Sequence, residues 1–177
     1  MISEISIRPK PQNKRADRLF YSLLLVAVAI ISATYLLEKW RGVVSVFALV
    51  AIVAALWIYS RFMYGEYSYD VVYDSYGTPL FVVRKITGSR VSTLCNVELS
   101  AIREVEVLES GKDEKKLESG TKKYNYCPTL GAVKRARLAI KTRYESSVIL
   151  IEGSDEFFAL LSSYAKEARE MAMNEEE

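Results

Sequence analysis

The sequence predicts an α+β membrane protein: a hairpin of two apolar helices, then a small antiparallel β-barrel or strongly bent sheet with a C-terminal helix. Three observations lead there. Residues 19–37 and 43–60 carry no charge, and each run reaches the roughly 18 residues that a bilayer-spanning helix needs. Residues 66–151 hold short β-rich segments separated by turn residues. From Phe157 onward, apolar side chains recur at three- and four-residue spacing. The averages over the 177 residues, 50% hydrophobic and 26% charged, hide this division.

The first span reads Leu19 to Leu37 and the second Val43 to Phe62, with Glu38 to Gly42 between them, so the two helices form a tight antiparallel hairpin. The first run is longer than the roughly 7–15 apolar residues of a secretory signal. It is followed by Glu38-Lys39-Trp40-Arg41 rather than by small residues, which argues against cleavage. Charge sets the orientation. Arg8, Lys10, Lys14, Arg15 and Arg18 precede the first span, while the connection holds only Lys39 and Arg41. The positive-inside rule then places both termini in the cytoplasm and makes the chain a multi-pass protein of the plasma membrane. Ser22, Val26, Ala29 and Ala33 in the first span, and Val44, Ala48, Ala51 and Ala55 in the second, form small-residue stripes. Such stripes let helices approach closely, either within the hairpin or between copies in a homo-oligomer. No charge lies inside either run, which leaves an ion path or proton relay without residues.

After the spans, Tyr67, Tyr69, Val71 and Tyr73 alternate with Ser68, Asp70, Val72 and Asp74, the period of a strand. Asp74 to Pro79 supply a turn, and 80–86 a second strand. Further strands are expected over 90–95, 102–108 (Val105 and Val107 inward, Glu104 and Glu106 outward), 124–127, 135–143 and 144–151. Ser154 or Asp155 caps a helix whose buried face is Phe157, Leu160, Leu161, Tyr164, Ala168 and Met171. The domain boundaries follow: a basic tail over 1–18, the hairpin over 19–62, a cytoplasmic domain over 63–171 with a polar loop at 109–123, and an acidic tail over 172–177.

Composition excludes several chemistries. There is no histidine, so histidine base catalysis and histidine metal ligation are absent. Cys95 and Cys127 form no paired motif, and the predicted compartment is reducing. No phosphate loop, nucleophile elbow or spaced carboxylate set is present, so the reading is non-catalytic, with no cofactor and no metal. Residues 1–62 hold eight Lys/Arg against three Asp/Glu, whereas 63–177 hold sixteen against nineteen. The basic excess flanks the spans, which argues against nucleic-acid binding.

Two basic groups remain as candidate sites. Alternation puts Arg135, Arg137, Lys141 and Arg143 on one face of a strand, a stripe suited to an acidic protein partner or anionic lipid headgroups. Its plain alternative is a solvated face paired with Glu104, Glu106 or Glu145. Arg84, Lys85 and Arg90 form a second, juxtamembrane group.

The strand-strand-helix ending RARLAIKTRYESSVILIEGSDEFFALLSSYAKEA, the element order over 66–170 and the preceding hairpin resemble a bacterial pleckstrin-homology-like domain of the YcxB-like kind. The stretches GEYSYD and VVRKITGSR are similar to those of small two-span bacterial membrane proteins, families without an assigned activity to carry over. The resemblance implies a PH-like binding domain that meets a protein partner or anionic lipid at the cytoplasmic membrane face. The rival expectation is an accessory or structural subunit of a membrane complex, acting through its hairpin.

Overall fold

The computed structural model describes residues 2–10, 13–34, 40–109, 120–132, 134–142 and 145–175. The chain forms two compact units, Pro11–Gly65 on one hand and Met1–Lys10 with Glu66–Glu177 on the other. Each is described by itself.

The helical unit holds α1 (Lys14–Thr34) and α2 (Arg41–Ile58), the latter continued by a π-turn over Tyr59–Met63. Both are long and apolar enough to cross a membrane: the most apolar 18 residues have a mean hydropathy of 1.8 in the first and 2.5 in the second with its π-turn. Outside their shared seam, Leu25, Phe47, Val50 and Trp57 are exposed. Ser22, Ser32, Ser45 and Ser60 turn their hydroxyls onto carbonyls three or four residues back in their own helices. That satisfies those hydroxyls without water. Residues 35–39, with the first two residues of the expected connection, lie outside the described residues.

On α2 the small-residue stripe lies in the seam, with Ala48, Ala51, Ala55 and Ile58 buried. On α1 the expectation needs correction. Ser22, Val26 and Ala29 are exposed and Ala33 is half-buried, while the buried positions are Ala16, Ala27 and Thr34, with Leu23, Leu24 and Ile30 half-buried. Helical phase explains the change: Leu23, Ala27, Ile30 and Thr34, at three- and four-residue spacing, form the less exposed face of α1. Phe20, Tyr59 and Tyr64 form a ring chain, with centroids 5.7 and 5.9 Å apart.

The second unit is built from two four-stranded sheets and a helix. Sheet one runs β1 (Ile5–Ile7), β2 (Glu66–Tyr73), β3 (Pro79–Thr87), β4 (Arg90–Glu98) in spatial order. Sheet two holds β5 (Ile102–Glu109), β6 (Lys122–Asn125), β7 (Lys134–Lys141) and β8 (Ser146–Glu152), ordered β5-β7-β8-β6. Helix α3 (Asp155–Glu175) follows. Of the alternating tyrosines of β2, Tyr67 and Tyr69 face the core, where Tyr69, Phe81 and Val83 meet Leu138, Ile149 and Ile151 of sheet two and Phe158 and Leu161 of α3, whereas Tyr73 at the strand end is exposed. The β2–β3 turn closes because Asp74 Oδ1 accepts from the amides of Tyr76 and Thr78, both at 2.8 Å, while Gly77 takes φ +83°. Ser154 caps α3, its Oγ accepting from the Phe157 amide at 3.2 Å.

Three features differ from the sequence expectation. The basic tail is not a separate segment: Ile5–Ile7 pair with Tyr69–Val71 as an edge strand, and Ile2 is buried in the core. Strand β6 pairs with β8 in parallel, so the sheets are not wholly antiparallel. On α3 the buried face is Phe157, Phe158, Leu161, Ala165 and Ala168, and Met171 is exposed, because the helix runs past the core. The helix also extends to Glu175, into the expected acidic tail. Residues 110–119, the middle of the polar loop, lie outside the described residues.

Tyr69 joins the two sheets. Fully buried, its hydroxyl donates to the Tyr126 carbonyl at 2.9 Å and accepts from the Glu152 amide at 3.3 Å. Burial pushes its phenol well above the ordinary value, so it serves as a neutral hydroxyl. Tyr69→Phe should lower the stability of this unit by about 1–3 kcal/mol, the cost of leaving buried polar groups unpaired. Thermal unfolding followed by circular dichroism in mild detergent measures it, and an unchanged midpoint would refute the role.

Candidate ligand-binding surface

The expected stripe lies on β7, where Ala136, Leu138 and Ile140 point into the core and Arg135, Arg137 and Ala139 point outward. β7 is not an edge, since β5 and β8 flank it. Its outer face is also partly covered. Leu108 and Leu150, the pairing partners of Arg135 and Arg137, join Cys127, Ala132 and Val148 in a second buried apolar cluster. Arg135 and Arg137 are half-buried beside it. Arg137 Nη1 lies 3.4 Å from Glu106 Oε2, a pairing set by the register that places these residues opposite each other. Lys134 pairs with Asp155 at the start of α3. Lys141 is exposed at the far end of the strand, and Arg143 lies outside the described residues. The three described cations, Arg135, Arg137 and Lys141, therefore do not form one free stripe.

The second group also divides. Arg84 Nη1 lies 3.0 Å from Asp70 Oδ2, and that carboxylate is buried, with its Oδ1 accepting from Ser6 Oγ at 2.5 Å and Ser68 Oγ at 2.6 Å. A buried charge persists only when paired and hydrogen-bonded, so Arg84 is committed to neutralising Asp70. Lys85 Nζ sits 5.9 Å from the centre of the Tyr67 ring. Arg90 is exposed at the end of the β3–β4 hairpin.

Sequence reasoning missed a groove beside β4. Two cavities of about 330 and about 1130 Å³ share Asn96, Val97 and Thr142 and so form one furrow where the sheets part. Its narrower end has a floor of Cys95, Ile140 and Ile149 and walls of Leu94, Tyr124 and Tyr126. The two tyrosine rings stack with centroids 6.3 Å apart. Its wider end is lined by Arg103, Lys141, Lys166 and Arg169, with Glu98 and Glu170. Of the predicted site residues that are described, Lys141 alone lies here. Arg103 arrives through a β-bulge. Ile102 opposes Ile140 and Glu104 opposes Ala139, so Arg103 is the extra residue and turns outward with Glu104. A signal was present in the sequence: strict alternation with inward Val105 would have buried Arg103, an arginine at a core position.

The cysteines lie in different clusters, Cys127 in the outer one and Cys95 against the main core. Burial pushes the Cys95 thiol up to about 11. Among the described residues, no group of three or more His, Cys, Asp or Glu side chains is placed to hold a metal ion. Comparison with protein-family models, with curated proteins and with solved structures gave no match for this chain.

Two outcomes follow. Arg84→Ala should cost about 2–4 kcal/mol, because it strands the buried Asp70 carboxylate, whereas Arg90→Ala should stay within about 0.5 kcal/mol. Equal effects in thermal unfolding would contradict that division of roles. A thiol near 11 instead of 9.0 has a thiolate fraction lower by roughly a hundredfold at neutral pH. Iodoacetamide should therefore modify Cys95 of the folded chain about a hundredfold more slowly than that of the denatured chain, with the rate climbing as pH approaches the raised value. Mass spectrometry of the alkylated peptide measures both.

Proposed function

We propose that this chain is a membrane-anchored, non-catalytic binding module. Its two apolar helices insert as a hairpin, and its β-rich unit is a PH-like domain held at the cytoplasmic membrane face to engage a protein partner or anionic lipid.

One observation carries the reading: Ile5–Ile7 pair with Tyr69–Val71. The chain leaves the β-rich unit near residue 10, passes through two helices of membrane-spanning length, and rejoins the same unit at residue 66. A strand before the helices can pair with a strand after them only if both lie on one side of a bilayer. Two crossings satisfy that condition and one crossing does not. The five cations from Arg8 to Arg18 then choose the cytoplasmic side.

The PH-like reading is supported by the element order, two four-stranded sheets followed by one packed amphipathic helix. Tyr67 and Ser68, just past the helical unit, pair with Lys85 and Arg84. A scaffold of this kind holds ligands by its surface, and its activity is not fixed by the fold.

The test is a labelling experiment in intact cells with Cys95→Ser and Cys127→Ser as background. A membrane-impermeant maleimide should label Gly42→Cys from outside and should reach Ser162→Cys only after permeabilisation. External labelling of Ser162→Cys, or of both positions, would overturn the hairpin topology and with it the cytoplasmic module.

A further inference from the structure

We infer that the groove beside β4 receives an extended peptide segment of a partner protein, adding as a strand to β4 and beginning with acidic residues at the Arg103–Lys141 end. The inference rests on the reading of the chain as a binding module and names the ligand chemistry of that module.

Three independent features point to this occupant. The first is the strand edge. β4 spans nine residues, pairs with β3 on one side, and has no strand on its other side among the described residues. An edge of this length presents alternating N–H and C=O groups at ladder spacing, which an extended peptide matches and a lipid headgroup does not. Val91 and Leu94 are exposed along it.

The second is the groove floor. Beyond the edge the sheets part, and Cys95, Val97, Ile140 and Ile149 line a furrow that reaches the core. Alternate apolar side chains of an added strand would fill it, with Tyr124 and Tyr126 closing one end. The bulge that sets Leu94 out of register lies in the same stretch, where Cys95 opposes Val83 and Thr93 opposes Arg84. The Leu94 carbonyl accepts from Tyr126 Oη at 3.3 Å, which ties the aromatic end to the strand edge.

The third is charge. Four cations face two carboxylates at the wide end. Glu170 lies 4.0 Å from Lys166, Glu98 accepts from Ser100 at 3.3 Å, and Arg169 donates to the Ala165 carbonyl at 3.2 Å. Arg103 and Lys141 have no ion-pair partner among the described residues, and the bulge at Arg103 aims its side chain here. The unit that carries this cationic end is acidic in its residues after 63, so the local excess is not a property of the whole surface. Because every pairing in sheet one is antiparallel, the peptide is expected to run against β4, its acidic residues preceding its apolar ones.

The probe is a fluorescein-labelled synthetic peptide, a run of glutamates followed by alternating valine and phenylalanine, titrated against the full chain in detergent micelles. Its anisotropy should saturate, and binding should weaken as salt is raised. A counterpart with lysines for glutamates should not bind. The R103E/K141E double variant should weaken binding by roughly tenfold or more while keeping the thermal midpoint, since both side chains are exposed. If that variant unfolds, K166E read in the same way takes its place. Four outcomes would overturn the inference: no saturable binding, equal binding of the lysine peptide, unchanged affinity in the charge reversals, or displacement by soluble short-chain phosphatidylglycerol but not phosphatidylcholine. The last would assign the groove to lipid headgroups. None of these results bears on the labelling pattern, so the groove and the membrane anchor stand or fall separately.

Discussion

The pairing of β1 with β2 is the constraint on which the rest of this protein depends. It is short, but it is fixed from several directions. Ser6 gives its hydroxyl to the buried Asp70 carboxylate, the Ile2 carbonyl accepts from Tyr73 Oη at 2.6 Å, and Ser3 Oγ lies 2.5 Å from Tyr164 Oη of α3. The N-terminal residues thus reach the middle of β2, the start of the core and the helix that covers it. A chain that must return to its own beginning after two apolar helices can use a bilayer only in a hairpin. The strand pairing and the charge bias of the first eighteen residues are separate physical effects, backbone hydrogen bonding and membrane insertion energetics, and both favour the same arrangement.

Asp70 shows how that constraint is maintained at a cost. A carboxylate this deeply buried is unfavourable unless its oxygens are satisfied. Here three strands contribute, Ser6 from β1, Ser68 from β2 and Arg84 from β3. Replacing the set with apolar residues of similar volume would keep the packing and lose the reason for β1 to choose this register. The network therefore specifies pairing rather than adding much net stability, in keeping with the small net return of buried ion pairs. Tyr69, one position along the strand and on the other face, performs the matching task inside the core by tying sheet one to the backbone of sheet two.

Much of this architecture is legible in the residues. Alternation marks β2 and β5, β-rich composition marks β3, Asp74 and Gly77 mark the turn, and Ser154 marks the helix start, because each depends on neighbours in sequence. What escaped depends on partners distant in sequence. Ile5–Ile7 is too short to announce a strand and exists only because β2 offers an edge. The parallel pairing of β6 with β8 depends on the path taken after β5. The stripe on β7 was placed on the correct face, but alternation says nothing of what lies over that face. Leu108 and Leu150 cover part of it, and they sit on strands whose pairing no periodicity reveals. The α1 stripe lies mostly outside the hairpin seam for a related reason, since size alone does not give the phase at which two helices meet.

The same contrast decides which cations are available for binding. Counted along β7, Arg135, Arg137 and Lys141 look equivalent. In the fold, Arg137 lies opposite Glu106 and is spent within the sheet, while Lys141 lies at the strand end, where no neighbouring carboxylate is in register. Arg84 and Arg90 differ in the same way, one opposed by a buried acid and one at a hairpin end. Pairing commits Arg137 and Arg84 within the sheets and leaves Lys141 and Arg90 at strand ends without an ion pair among the described residues, whereas Lys134 at the other end of β7 meets Asp155. The margin of sheet two at Lys141 is also where the bulge delivers Arg103 and where α3 overhangs with Lys166 and Arg169. The cationic end of the groove is thus a consequence of strand register: charges that cannot be matched across a ladder collect where the ladder stops.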